Sequence, residues 1–276
     1  LELGADTLIV ADAGLACTLR AAIPGVEIHL STQAGVHSEG AVRLAAEELG
    51  VERVTTAREL SVAEIEVLCA TGVPIEVFCH GAICIGYSGA CGFSALRRSR
   101  SAMRGDCTQP CRLSYDLVDG AGESVVAVEG DRLLCPRDYL GIAHLPELVA
   151  AGVASLKIEG RMKSPRYTAG VVSIYRKYVD LYLKEGRGGY HVEKADRDAL
   201  LALFDRGGQS QGYYRTHNGR DMVVLKEKPE YRDVNQELFD YLDRTYVNAE
   251  KKIPVTGSAY IAVGKSGYFS VSDEAG

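Results

Sequence analysis

The sequence predicts an α/β protein built on a parallel sheet, and three observations support this fold class. Short apolar runs alternate with segments of helical periodicity through residues 1–80, which is typical of a parallel sheet flanked by helices. The first run, TLIVA at 7–11, is continuously apolar, as expected for a strand buried on both faces. The chain is also 46% apolar and 25% charged, and its 276 residues suffice for one large domain or one domain plus part of another.

The predicted elements follow one another in regular order. Strands are expected at 7–11, 26–31, 52–57 and 74–80, and helices at 14–23, 38–49 and 62–71, with Ser38 as an N-cap. A β-hairpin around Gly120–Gly122, a helix at 144–152 and a fifth parallel-type strand at 154–160 come next. Helices at 165–185 and 194–204 complete this part. The first of them carries tyrosines at helical spacing, which indicates core packing, with a binding role as the alternative.

The pattern changes toward the end of the chain. Residues 206–214, RGGQSQGYY, are predicted to be a plain turn region. Short alternating strands at 259–263 and 268–271 flank GKSG, which indicates a hairpin. We therefore expect an α/β region at 1–250, with a cysteine loop at 84–111, and the start of a β-rich domain at 251–276. The opening LELGADTLIVADAG, without Met, is interpreted as the interior of a longer protein.

Four of the eight cysteines lie in the arrangement C-x6-C-x15-C-x3-C. They are Cys84, Cys91, Cys107 and Cys111. Thiolates are soft ligands, and four of them in one loop suit an iron–sulfur cluster or a zinc ion. The even cysteine count also fits disulfides, but disulfide-dense chains are usually small and poor in core, unlike this one.

A basic stretch accompanies the cysteines. The positive charge of its arginines would offset the negative charge of bound thiolates, or attract an anionic substrate or an RNA phosphate. The net charge of −6 excludes a generally basic surface, so any RNA must bind to a local patch or outside this chain. No run of about 18 apolar residues occurs, so no membrane span is expected. The arginines are Arg97, Arg98, Arg100, Arg104 and Arg112.

Polar side chains follow five successive predicted strands, at the end where parallel α/β barrels carry their chemistry. Each has a structural explanation as well: Asp12 as a helix cap, His29 as a core histidine, and Lys157 with Glu159 as an ion pair on one strand face. Together they predict a site shared with the cysteine loop. The set is Asp12, His29, Ser31, Thr32, Gln33, Arg58, Glu59, His80, Lys157, Glu159, Arg161 and Lys163.

Several stretches carry a family resemblance. EVFCHGAICIGYSGACGFS at 76–94, RGDCTQPCR at 104–112 and SLKIEGRMKSPRY at 155–167 closely resemble blocks of the collagenase-like peptidase family U32. IHLSTQA at 28–34 and the 206–214 region resemble further blocks, and the end of the chain is similar to long members with an additional C-terminal domain. The resemblance implies an eight-stranded, TIM-barrel-like fold that is incomplete at the N-terminus of this chain.

Two activities attach to that family, namely oxygen-independent hydroxylation and proteolysis. The first implies a 4Fe–4S cluster on Cys84, Cys91, Cys107 and Cys111, with Cys135 as a possible substitute for either of the last two. RNA-modifying members use prephenate, a dicarboxylate, as the oxygen source. On this hypothesis the catalytic residues are His80, Lys157 and Glu159, and the substrate-binding residues are Gln33, Arg58, Arg104, Arg112, Arg161 and Lys163.

Two other functions stay open at this point. A peptidase could use Cys79 or Cys84 with His80, although the sequence has no HExxH or G-x-S-x-G motif. A zinc site in a structural or RNA-binding module also fits the cysteine spacing. On the main hypothesis we expect ribosomal or transfer RNA as the partner, a small dicarboxylate as co-substrate, no membrane, and a cytoplasmic location where thiols stay reduced.

Overall fold

Strands and helices alternate through the first half of the chain, as the apolar pattern predicts. The computed structural model describes residues 4–125, 130–161, 163–205, 208–217, 222–225, 235–249, 254–264 and 266–272. The strands are β1 Thr7–Val10, β2 Glu27–Leu30, β3 Arg53–Thr55, β4 Ile75–Ala82, β5 Arg132–Pro136, β6 Asp138–Leu140, β7 Ser155–Ile158, β8 Gln209–Ser210, β9 Val223–Leu225, β10 Thr256–Tyr260 and β11 Tyr268–Ser272.

Five of the eight described helices begin at side-chain caps that the sequence supplies. The Ser38 side chain accepts a hydrogen bond from the amide of Ala41, and the Asp12 side chain accepts one from the amide of Leu15. Both predicted caps are therefore confirmed. Ser61 and Glu64 form a capping box. The helices are α1 Ala13–Ala22, α2 Glu39–Glu47, α3 Val62–Cys69, α4 Phe93–Arg98, α5 Leu145–Ala150, α6 Pro165–Gly189, with a non-helical backbone at Gly186, α7 Lys194–Leu203 and α8 Gln236–Leu242.

One mostly parallel sheet organises the fold. Its strands run in the order β1-β2-β3-β4, all parallel, and β4 then pairs in parallel with β7 and, at its last three residues, antiparallel with β6. The short β8 adds to β6. Within the described ranges this sheet stays open, because β1 pairs with β2 alone. The α/β class is confirmed, whereas a closed barrel stays a prediction.

Two apolar clusters pack against the sheet. One lies between the β1–β4 strands and the first three helices, around Ile28, Val54 and Ile75, all fully buried. The other lies under α6 and α7, where Tyr175 and Tyr178 are buried, so the tyrosines of α6 pack in the core as predicted. The Tyr178 hydroxyl donates to Asp196 at 2.7 Å, which satisfies the polar end of the ring.

The later part of the chain departs from the predicted pattern. In the predicted hairpin around Gly120–Gly122, Val118 and Ser124 form an isolated antiparallel bridge, and residues 126–129 lie outside the described ranges. Of the predicted turn region 206–214, residues 206–207 lie outside the described ranges, and 208–214 contains a strand, β8, as well as turns, because its backbone adds to the edge of β6. Strands β10 and β11 form the predicted C-terminal hairpin. No helix in the described part is long and apolar enough to cross a membrane.

Candidate functional site

The four cysteines of the loop line one cavity of about 150 Å³ beyond the C-terminal end of β4. Each of them is partly exposed, and all eight cysteines of the chain are free thiols. A cavity of about 10–15 Å³ accommodates one water molecule. The cavity is therefore large enough for a group of many atoms, and the predicted convergence of the cysteine pairs on one place is observed.

Two glycines allow the first cysteine pair to fold back on itself. A Cβ atom at Gly86 would lie 2.7 Å from the Cβ atom of Cys91, so only glycine lets the loop bring Cys91 this close. Gly89 has a φ of +78°, and a Cβ atom there would lie 2.3 Å from the carbonyl oxygen of Gln33. The loop thus packs against the end of β2 and places Gln33 on the cavity wall.

Helix α4 and two short turns, Ala102–Arg104 and Pro110–Arg112, deliver the second cysteine pair. The buried Ser94 hydroxyl accepts from the amide of Thr108 at 2.9 Å, which fixes the segment that carries Cys107. The Arg112 guanidinium donates to the carbonyls of Ile83 at 2.6 Å and Pro136 at 2.9 Å. These bonds tie the turn of Cys111 to the end of β4.

The sulfur atoms have hydrogen-bond donors and cations beside them. The amide of Gln109 donates to Cys107 Sγ at 3.3 Å, and the backbone of Gly86 acts to lower the pKa of the Cys84 thiol. Burial raises the pKa of the Cys84 thiol, and the nearby Arg58 and Arg112 charges oppose that effect. Burial likewise raises the pKa of Cys111 to about 11. A coordinating metal would deprotonate such thiols, and the amides and cations would stabilise the thiolates.

The four cysteines are suitable ligands for a metal or cluster, but their side chains are not already placed at metal-binding distances. Within the described part of the chain, no three His, Cys, Asp or Glu side chains are placed closely enough to hold a metal ion. Cys135 is fully buried behind the cavity wall, where Arg112 Nη1 lies 3.5 Å from its sulfur. The donor chemistry therefore favours the four lining cysteines, and a ligand role for Cys135 stays an alternative.

Two of the three arginines that line the same cavity have neither an ion pair nor a guanidinium hydrogen bond among the described residues. The Arg58 guanidinium lies 4.5 Å above the ring of Phe78, and its Nε atom is buried without a hydrogen-bond partner in that part of the chain. Arg161 is exposed at the rim, opposite Gly105. Glu159 also lines the cavity, and its carboxylate accepts from the Arg161 amide at 2.9 Å. The guanidinium groups of Arg58 and Arg161 can bind an anion at the mouth of the cysteine cavity.

The remaining predicted substrate-binding residues lie differently. The Arg112 guanidinium reaches the cavity wall but is engaged by the carbonyls of Ile83 and Pro136. Arg104 is exposed and is not part of the wall. The Lys163 ammonium lies over the rings of Phe204 and Tyr167, away from the cysteines. Of the six predicted side chains, Gln33, Arg58, Arg112 and Arg161 therefore meet at the cavity.

His80, a predicted catalytic residue, lies in the core behind the cavity. Its ring is 5% exposed, and Nδ1 lies 3.3 Å from the Tyr175 hydroxyl oxygen. That hydroxyl donates its hydrogen to the carbonyl of Cys79, so His80 Nδ1 carries the hydrogen of the His80–Tyr175 bond. Burial and the nearby Lys163 charge lower the pKa of His80 to about 3. The imidazole is therefore neutral at physiological pH, and its catalytic role stays a prediction.

Lys157 is likewise held by a core partner. Its Nζ atom lies 2.6 Å from Glu76 Oε1, so the expected ion pair with Glu159 is not formed. Ser155 and Thr55 also donate to the Glu76 carboxylate, at 2.7 and 2.9 Å. Burial raises the pKa of Glu76, but these three donors outweigh it and hold the pKa below its ordinary value. Glu159 lies just past the end of β7, which explains why it faces the cavity and not Lys157.

The cavity also contains side chains that the sequence analysis did not single out. Tyr87, Phe93 and Met103 supply apolar wall, and Ser88 supplies a hydroxyl held by Glu59. Three of them, Tyr87, Ser88 and Phe93, lie within the family block at 76–94, and the first two lie between Cys84 and Cys91. Their position inside that block is the signal that could have identified them.

Comparison with known proteins places the chain in one family. Residues 1–223 match Peptidase family U32. The chain is 41% identical over 212 residues to a tRNA hydroxylation protein P1 of Bacillus subtilis, which covers 72% of this chain and 50% of that protein. It is 40% identical over 185 residues to a 23S rRNA 5-hydroxycytidine synthase of Escherichia coli, which covers 67% of this chain and 27% of the relative.

A third relative carries a different kind of name. The chain is 34% identical over 203 residues to a protein of Porphyromonas gingivalis named collagenase, covering 69% of this chain and 48% of that protein. The chain thus spans about half or less of the length of these three relatives. No solved structure matches the chain. Sequence blocks and family match agree, and the chain belongs to Peptidase family U32.

Proposed function

We propose that the protein hydroxylates a pyrimidine base of RNA without molecular oxygen, using a 4Fe–4S cluster and a prephenate-like donor. The observation that carries the proposal is one cavity that gathers four cysteines beside two arginines whose guanidinium groups have no ion pair or hydrogen bond in the described part. Relatives named for tRNA hydroxylation and for 5-hydroxycytidine synthesis in 23S rRNA support RNA as the substrate. Reduced thiolates require a reducing compartment, which favours the cytoplasm.

The cluster would be held by Cys84, Cys91, Cys107 and Cys111. When bound, it would supply one-electron redox chemistry, with a potential that depends on hydrogen bonds to sulfur and on burial. The amide of Gln109 donates such a bond to the sulfur of Cys107. Zinc is the alternative for the same thiols.

Arg58 and Arg161 are the proposed binders of the donor. A dicarboxylate matches two guanidinium groups at one cavity mouth, because each group can form two parallel bonds to a carboxylate. The side-chain amide of Gln33 on the same wall can add a further donor. Transfer of oxygen from a donor R–OH to a base C–H gives C–OH and R–H, so the donor is reduced as the base is oxidised. Glu159, at the same mouth, is placed to accept or return the proton of the base.

The RNA backbone would bind beside the cavity. Arg97 and Arg98 end helix α4, and Arg104 follows in the next turn; all three are exposed. None of the three forms an ion pair with another described residue, whereas Arg100 pairs with Asp106. Such a local patch can bind phosphates although the chain carries a net charge of −6.

A peptidase is the second candidate, favoured by the relative named collagenase. The environment of the candidate nucleophile Cys79 does not suit a peptidase. Cys79 is buried, its thiol donates to the carbonyl of Lys157 at 3.4 Å, and burial raises its pKa far above the ordinary value. Its neighbour His80 contacts Tyr175 instead, so these two side chains do not form a nucleophile–base pair. Within the described part, the cysteine cavity serves a thiolate-bound group better than a protease.

Arg161→Ala is the test of the proposed function. Full-length protein is incubated anaerobically with prephenate and with RNA from cells that lack the gene, and hydroxylated nucleosides are measured by mass spectrometry. We expect modification to fall about ten-fold or more, since each lost charge-assisted bond costs about 1.5–3 kcal/mol, while iron content stays unchanged. Arg176→Ala, which removes an exposed arginine of α6, serves as the control. Normal modification by Arg161→Ala, or no hydroxylated nucleoside with the wild type, contradicts the proposal.

A further inference from the structure

A second cavity, of about 430 Å³, adjoins the cysteine cavity. The two share Ile85 and Tyr87, so the loop between the first two cysteines forms the partition. The composition of the second cavity differs, because it contains no cysteine among the described residues. Its lining is His37, Glu59, Leu60, Glu64, Ile85, Tyr87, Tyr213 and His217.

Aromatic rings form much of this lining. The ring of His37 packs edge-on against Tyr87, with 6.2 Å between the centroids. Tyr213 is half-buried, and its pKa is raised first by burial and then by the negative charge of Glu59, with Cys84 and Tyr87 also close. Tyr213 therefore lies near both the carboxylate of this cavity and a predicted cluster ligand. Flat aromatic faces beside a polar group are typical of sites that bind a planar heterocycle.

One carboxylate oxygen of Glu59 accepts hydrogen bonds, and the other has no hydrogen-bond partner among the described residues. Its Oε1 atom accepts from the amide and the hydroxyl of Ser88, at 3.0 and 3.2 Å. Its Oε2 atom is shielded from solvent and has no hydrogen-bond partner among the described residues. A buried carboxylate oxygen without a donor is costly, so such an atom calls for an explanation. Glu59 lines this cavity, and a rotation of its side chain that exposes Oε2 would let an N–H group there supply the missing donor.

We propose that the second cavity binds the target base of the RNA, stacked on Tyr87 and Tyr213 and bound at its N–H edge by Glu59 Oε2. This inference rests on the proposed function, because that function requires a pyrimidine next to the cysteine cavity. Cytosine offers its N4 amino group and uracil its N3–H as donors to a carboxylate. The carboxylate of Glu59 disfavours a phosphate here and favours a neutral base, whereas Glu64 is paired with His217. The phosphates would lie outside, where the arginines of α4 are exposed.

The test uses photo-crosslinking, which does not depend on catalysis. Full-length protein is irradiated anaerobically with 5-iodocytidine or 5-iodouridine 5′-monophosphate, and labelled residues are identified by mass spectrometry. We expect the label on Tyr213 or Tyr87. Glu59→Gln should weaken nucleotide binding about ten-fold, because the amide keeps one oxygen for Ser88 but offers a donor where the base needs an acceptor. Glu66→Gln, an exposed change on α3 outside the cavity, is the matched control and should bind normally.

A second pair of variants separates stacking from folding. Tyr213→Phe keeps the ring and should bind within about two-fold of the wild type, whereas Tyr213→Leu should bind about ten-fold more weakly. Labelling of neither tyrosine, or unchanged binding by both Glu59→Gln and Tyr213→Leu, overturns the inference. If wild-type protein labels Tyr213 but hydroxylates no RNA, the base site stands and the proposed function fails. If RNA is hydroxylated and Glu59→Gln remains fully active without labelling, the function stands and the base site fails.

Discussion

Two groups of polar side chains lie near the ends of neighbouring strands, and they differ in what they contact. At the cysteine cavity, Arg58 and Arg161 line the wall without an ion-pair partner in the described part of the chain. Behind it, Lys157 is bound to Glu76, and His80 is bound to Tyr175. All four lie in or shortly after strands of the same sheet, yet only the two arginines can offer a charge to a ligand.

The difference shows that position at a strand end does not by itself identify a reactive side chain. A charge whose hydrogen bonds are already made inside the protein contributes mainly to stability. A charge left without a partner at a cavity is a candidate for substrate binding. The two groups should therefore respond differently to mutation: changes at the cavity should affect the bound group and the reaction, and changes behind it should affect folding.

The largest effect is expected from removing a cavity thiol. Cys84→Ser should lower the iron content of anaerobically purified full-length protein from about four atoms per chain to nearly none, because a cysteine-ligated cluster needs its four thiolates. Cys17→Ser, which changes an exposed cysteine of α1, is the matched control and should keep its iron. Cys135→Ser should also keep it. Iron loss in Cys135→Ser as well as in Cys84→Ser would instead make the buried thiol a ligand in place of Cys107 or Cys111.

A smaller effect is expected behind the cavity. Lys157→Met should lower the free energy of unfolding by about 2 kcal/mol, less than for a fully buried pair, because it leaves the Glu76 carboxylate without its cation. The two side chains are 28% and 13% exposed. Urea unfolding measures the change, and the double variant Glu76→Gln/Lys157→Met should recover part of it. Wild-type stability combined with lost RNA modification would show that Lys157 is catalytic after all.

The smallest effect concerns pH. The pKa of His80 is lowered to about 3 in the folded protein, against about 6.5 when unfolded, so the unfolded chain binds the extra proton first. Stability is unaffected by this group above pH 6.5 and is lost as pH falls toward 3. Between pH 6.5 and 5.5 the wild type should lose about 1 kcal/mol more than His80→Gln. Equal losses in the two proteins would show that His80 is not buried in its neutral form.

Much of the first half of the fold follows from the sequence. Apolar runs at 7–11, 26–31, 52–57 and 74–80, separated by helical segments, predict the four parallel strands. The expectation that the first strand is buried on both faces was wrong, because β1 is at the edge of the described sheet and Ile9 is 59% exposed. The short strands β6 and β8 could not be predicted in the same way. They have three and two residues, and they exist because their backbones pair with distant segments of the chain.

The site divides along a similar line. The cysteine cavity was predictable because all four thiols lie in one loop, within blocks that resemble a known family. The environment of Glu59 was not, since Ser88 lies 29 residues away along the chain and Tyr213 is more distant still. Strand periodicity also could not tell that Lys157 faces Glu76 while Glu159, past the end of the strand, faces the cavity. Such contacts depend on how separate elements pack.

The most direct test of the central claim is metal analysis of the full-length wild-type protein purified without oxygen. The account predicts a brown protein with broad visible absorption and about four irons and four sulfides per chain. A colourless protein that contains zinc or no metal would contradict it. The four cavity thiols would then belong to a structural zinc site or to a thiol peptidase.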